Sequence, residues 1–145
     1  MKLKQVLLVV LLVIMLGVGY SSISFAQATP NQVTSQLTSV LKIKTSELPK
    51  VSELEGEILT LTIAPGDIGI WHTHGSPAFA YVISGECIVD SRSGEPSITL
   101  PAGKAIMEPI NVVGRARNPS LTEPAKLVLF QLRKPGTAFL DVVSQ

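Results

Sequence analysis

Two histidines occur in the 145 residues of this chain, and they stand two apart, as His72 and His74. Side chains alternate between the faces of an extended strand, so these imidazoles point the same way, with Ile70 beside them. A two-imidazole pincer of this kind suits zinc, copper, iron or nickel. A durable site takes three or four protein ligands, however, and two imidazoles alone hold a metal weakly. The metal-free reading is a pair of neutral histidines in a polar pocket, hydrogen-bonded to backbone or water. Cys87 is the single cysteine and sits in the apolar run Cys87-Ile88-Val89. Such a thiol reads as a small buried hydrophobe rather than a nucleophile, and it can pair with a histidine only by pointing into the same cavity. Arg115 and Arg117 flank Ala116 on the opposite face, which reads as surface charge in preference to an anion site.

The elements that must position these residues are short. From Val40 onward, runs of Val, Ile, Leu and Thr are cut by Pro and Gly at close intervals, which marks an all-β barrel or sandwich with no amphipathic helix. The pattern predicts strands near Leu41–Lys44, Glu57–Ala64, Ile68–His74, Phe79–Ile83, Cys87–Asp90, Ser97–Leu100, Ala105–Glu108, Val112–Arg117 and Lys126–Arg133. Pro65-Gly66 and Ser84-Gly85 supply the breaks, and Ser91 to Pro96 reads as a hairpin tip. Pro135-Gly136 closes the last strand. The tail from Thr137 to Gln145 carries Phe139, Leu140, Val142 and Val143, which can pack back on the barrel.

Two spaced signatures run through this pattern. The first is Gly66, five residues, His72-Thr73-His74, three residues, Ala78, six residues, Gly85; the second is Gly103, five residues, Pro109, four residues, Gly114, three residues, Asn118. Together they resemble the two motifs of the cupin family. The resemblance implies a single-domain jelly-roll β-barrel over residues 41–136, with Gly66, Gly85, Gly103, Pro109 and Asn118 at its motif turns. Asn111 stands where the family has a further glycine, and Asn tolerates a left-handed backbone. In the family the motifs bring His, His, Glu and a second-motif His to one metal. Here the resemblance puts His72 and His74 at the first two positions, Ala78 in place of Glu, and Gly114 in place of the last His. A site of two His and one carboxylate therefore needs an acid from elsewhere. The candidates are Asp67, Glu86 and Glu108. Parity singles out Glu108, just before Pro109, although acids are expected to stay solvated unless paired. Loss of the two larger side chains frees room in the barrel, and a cavity lined by His72, His74, Ala78, Ala80, Gly114 and Ala116 is expected. Trp71, Phe79 and Tyr81 belong beside it or on the other sheet face.

The start of the chain reads as a secretory signal: Lys2 and Lys4, an apolar core from Val6 to Val18, and a small-x-small site at Ser24-Phe25-Ala26. Cleavage near Ala26 would export the protein to a periplasm or medium and expose an N-terminal arm, residues 27–40. The apolar stretch is shorter than a bilayer span. The formal net charge is +1, and loss of Lys2 and Lys4 turns the balance slightly acidic. That leaves no electrostatic footprint for nucleic acid or, after signal removal, for a membrane. A homodimer is expected on the resemblance alone. The function expected first is a binding barrel for a small molecule, its two-histidine site holding a divalent metal weakly or not at all. The alternative is a metal-dependent enzyme of dioxygenase, isomerase or lyase type that recruits a further ligand.

Overall fold

The computed structural model describes residues 35–144. The signal segment, its cleavage site at Ala26 and the first part of the arm, 27–34, lie outside the described residues. Nine strands carry the barrel: β1 Glu55–Ile63, β2 His72–Thr73, β3 Ala78–Ser84, β4 Glu86–Ser91, β5 Ile98–Pro101, β6 Ala105–Glu108, β7 Gly114–Arg117, β8 Ala125–Arg133 and β9 Asp141–Val142. They form two antiparallel sheets, ordered β1-β8-β3-β6 and β5-β4-β7-β2-β9. No helix occurs among the described residues. This is the double-sheet jelly roll that the motifs imply.

Period-two alternation decides which side chains face inward. In β1 the half-buried Leu59 and Leu61 and the buried Ile63 alternate with exposed Thr60 and Thr62. Their ladder partners are Leu129, Leu127 and Ala125 of β8. On the next strand, Ala80 and Val82 of β3 lie opposite Leu129 and Leu127, so one apolar row crosses three strands. Cys87 and Leu100, register partners in the other sheet, join Val82 and Leu127 in the same core. Full burial of a Val or Leu side chain stabilises the fold by roughly 1.5–3 kcal/mol. Asn118 fastens the end of β7 to the end of β1: its Nδ2 donates to the carbonyls of Ile63 at 3.1 Å, Ala64 at 3.2 Å and Glu123 at 2.8 Å.

Three strand expectations need correction. Leu41–Lys44 joins no ladder; Leu41 and Ile43 instead line an open groove with Phe79, Tyr81 and Phe130 of the first sheet. Ile68–His74 is not one strand, because Gly69 passes so close to β7 that a Cβ there would stand 2.7 Å from the Ala116 carbonyl. Only His72 and Thr73 keep strand pairing, after a lone bridge from Ile68 to Arg117. Val112 falls outside β7, since Asn111 takes the left-handed turn, φ 57°, that its residue type permits. The tail also gains an element: β9 pairs with β2, His72 opposite Val142 and Thr73 opposite Asp141.

Candidate metal centre

The centre is built where β2 is held between β7 and β9. His72 lies opposite Gly114 on one side and Val142 on the other. The two imidazole rings stand edge to face with centroids 4.9 Å apart, the shared face that their spacing predicts. His72 Nδ1 donates to the carbonyl of Ile70 at 3.0 Å, and His74 Nδ1 donates to the carbonyl of Phe139 at 2.8 Å. A carbonyl can only accept, so each Nδ1 carries a proton, and in the neutral tautomer Nε2 is the nitrogen left to offer a lone pair. Backbone oxygens thus orient both rings as they do for metal-ligating histidines.

Glu108 completes the group. It ends β6 directly opposite Ala78 on β3, and directly opposed residues of an antiparallel pair share a face. The carboxylate therefore reaches the place where the family's motif has Glu, but from the neighbouring strand. Its Oε2 lies 3.5 Å from His74 Nε2 and 3.9 Å from His72 Nε2. The three ligand atoms all fall within 4.8 Å of one another. Two atoms bonded at roughly 2.0–2.2 Å to one ion span at most about 4.4 Å, so the carboxylate oxygen can share an ion with either imidazole. His74 Nε2 is buried without a hydrogen-bond partner. An unpaired buried acceptor is costly, and a cation is the partner it lacks. The residues fit a divalent metal.

The electrostatics agree. Burial alone would lower the His74 pKa, but the facing Glu108 carboxylate, the Phe139 carbonyl and Asp141 outweigh it and raise the value above that of an ordinary imidazole. The field at this position favours positive charge, as a proton or as a metal. Cys87 lines the same cavity, where burial first and Glu108 next push its thiol up to about 11. It is a buried, protonated thiol with little nucleophilic character, in keeping with its sequence reading.

The remaining expectations divide. Ala78, Ala80 and Ala116 line the cavity beside the two histidines. Gly114 does not; a Cβ there would stand 3.9 Å from Glu108 Oε2, so the missing histidine leaves room for the carboxylate. The two-histidine site becomes a site of three, and Glu108 is half-buried rather than solvated as expected, because it faces the two rings from the opposite sheet. Asp67 and Glu86 take no part in the group. Gly66, Gly85 and Gly103 hold positive φ, Pro109 follows β6, and Asn118 is buried. Trp71 lies outward, between the guanidinium groups of Arg92 and Arg115 at 4.5 and 4.4 Å. Arg115 and Arg117 both engage Asp90 at 3.1 Å rather than standing as free surface charge. Sequence reasoning missed Phe139 and Leu140 as parts of the site. Phe139 acts through a backbone carbonyl, which no residue type announces. Leu59, Leu61, Leu127 and Leu129 also line the cavity and were open to discovery by alternation alone.

Comparison with known proteins points the same way. Residues 59–130 match the family described as Cupin domain. No curated protein sequence matches the chain. Among solved structures, a cupin-like protein of Thermotoga maritima is 19% identical, with 62% of this chain and 65% of that one covered and a TM-score of 0.54. The polyketide cyclase RemF of Streptomyces resistomycificus is 12% identical over 62% of this chain and 61% of its own, TM-score 0.53. A structure of the DMSP lyases RdDddP and RnDddQII is 21% identical over 65% and 46%, TM-score 0.50. The chain thus spans less than two thirds of the length of each. Motif spacing, the pair of facing sheets and these likenesses agree: the fold is the cupin-type jelly roll, with residues 59–130 matching the Cupin domain.

Proposed function

We propose that this protein is a metal-dependent cupin in which His72, His74 and Glu108 hold a divalent ion beside a cavity for a small molecule. The observation that carries the reading is the Glu108 carboxylate, 3.5 and 3.9 Å from two imidazole nitrogens whose rings are already oriented by backbone carbonyls. When bound, the ion would supply Lewis-acid polarisation of a ligand oxygen. The chain's own residues do the rest. Ile70 and Phe139 fix the tautomers, Glu108 balances cationic charge, and the apolar walls keep water from the site. Two of the fold neighbours bear the names of enzymes, a polyketide cyclase and DMSP lyases. Those activities are theirs; to this reading they add only that the fold is one enzymes use.

The second reading is a binding barrel without turnover, and the apolar lining of the cavity favours it. Both readings place the protein outside the cytoplasm after cleavage near Ala26, a proposal that N-terminal sequencing of the exported protein tests by finding Gln27 first. The deciding experiment is elemental analysis of protein purified without chelators or affinity nickel, with Glu108→Gln and His72→Ala/His74→Ala beside it. One metal per chain in the parent and loss in both variants is expected. Metal absent from all three leaves the binding barrel. Metal retained by Glu108→Gln removes the carboxylate from the site.

A further inference from the structure

The cavity holds about 380 Å³ and is defined by both sheets and by the segment before β9. That volume lies in the range of small-molecule pockets. Its polar side chains are few and gathered. His72, His74 and Glu108 form the single cluster, Thr60 sits on the outward parity of β1, and Cys87 is a protonated thiol. Leu59, Leu61, Leu127 and Leu129 supply the wall from one sheet, Val89 and Leu100 from the other. No Lys or Arg lines it.

We infer that the ligand is an apolar molecule with one oxygen-donor head, bound with the head at His72, His74 and Glu108 and the hydrocarbon body among the leucines. The inference rests on the metal-centre reading for the head, and on the walls alone for the body. A sugar, polyol or nucleotide is excluded by the same lining. Each hydroxyl buried against leucine would lose its water without a replacement partner, and a second anionic group would meet no cation. An apolar body gains at every methylene it buries. A single head needs one polar cluster, and this cavity has one.

The test is isothermal titration of the mature, zinc-loaded protein with butanoate, hexanoate and octanoate, and with gluconate as the polyhydroxylated control. Affinity is expected to rise about fourfold per added methylene, somewhat over two orders of magnitude from butanoate to octanoate, with no binding of gluconate. Removal of the zinc is expected to weaken the whole series by a common factor and leave its slope intact. A flat series, or gluconate binding tightest, on protein that carries its zinc overturns the ligand class while the metal centre stands. A steep series indifferent to zinc supports the apolar class and overturns the placement of the head at the metal instead, while elemental analysis decides the metal centre itself. Ala80→Leu, which places a larger side chain in the cavity, is expected to abolish octanoate binding and keep the metal; Ala116→Leu serves if that variant does not fold. Unchanged octanoate affinity in a folded, zinc-bearing variant overturns the placement of the body.

Discussion

Glu108 and Ala78 face each other across the β3–β6 ladder, so either strand can deliver a carboxylate to the same point between the imidazoles. This equivalence makes a reciprocal exchange informative. Glu108→Gln is expected to weaken zinc binding by about 100-fold or more, since even outer partners of metal ligands are worth 10–100-fold. Restoring the acid from the other strand, as Ala78→Glu in a Glu108→Ala background, is expected to recover most of that loss in a competition assay with a chromophoric chelator. Failure of the exchange while the protein stays folded would mean that the ladder position does not set the ligand. Asp90 supports a second residue-scale prediction. The Ser97 hydroxyl, followed by Arg117 and Arg115, holds its carboxyl below the ordinary range in the folded protein. A folded value depressed below the unfolded one stabilises at pH above the ordinary carboxylate range and loses that stabilisation as pH falls through the lowered value. Asp90→Asn should therefore flatten the fall of the urea midpoint as pH drops through and below the ordinary carboxylate range, where the parent declines. The histidine pair was legible because strand parity needs only local sequence. Glu108 was legible as a candidate and not as a ligand, because its closeness to the rings depends on register between strands far apart in the chain.

Long ladders follow alternation closely, whereas the shortest strands owe their existence to tertiary contact. β1, β3 and β8 fall within two residues of their predicted spans, since each buries a regular row of apolar side chains. β2 and β9 are two residues each, too short for any periodic signal, and each is defined chiefly by its neighbour. The turns carry their own instructions. Gly85 has φ 75°, and a Cβ there would stand 2.8 Å from the Pro124 carbonyl; Gly103, at φ 84°, has nothing within 4 Å of that point. Substitution by Ala should cost about 1 kcal/mol or somewhat more at Gly103, from the left-handed backbone alone. At Gly85 the backbone clash adds to that, and a loss of roughly 3 kcal/mol or more is expected. Urea midpoints of the two variants compare them directly, with unchanged m if only stability moves.

For the molecule as a whole, a metal held only by the folded state is a source of stability. At free zinc 100-fold above its dissociation constant, the gain is about 2.7 kcal/mol, worth roughly 10 °C in the unfolding midpoint of a domain this size. The parent should show that shift on zinc addition and lose it to chelator, while Glu108→Gln should show little of either. The same centre is distributed along the chain in a way that bears on its synthesis. His74 is held by a carbonyl 65 residues further on, and β2 is flanked by β9, itself downstream of every other strand. At ribosomal rates of about 5–20 residues per second, the imidazole precedes its orienting partner by roughly 3 to 13 s. All three ligands are made before the ring is aimed, so metal captured in that interval meets histidines free to offer either nitrogen. A chain that folded with Nδ1 bound to an ion would have to release it before that nitrogen could donate its proton in a hydrogen bond to the Phe139 carbonyl. If the centre binds metal as proposed, the order of ion capture and of folding around Phe139 would set how much of the protein matures correctly.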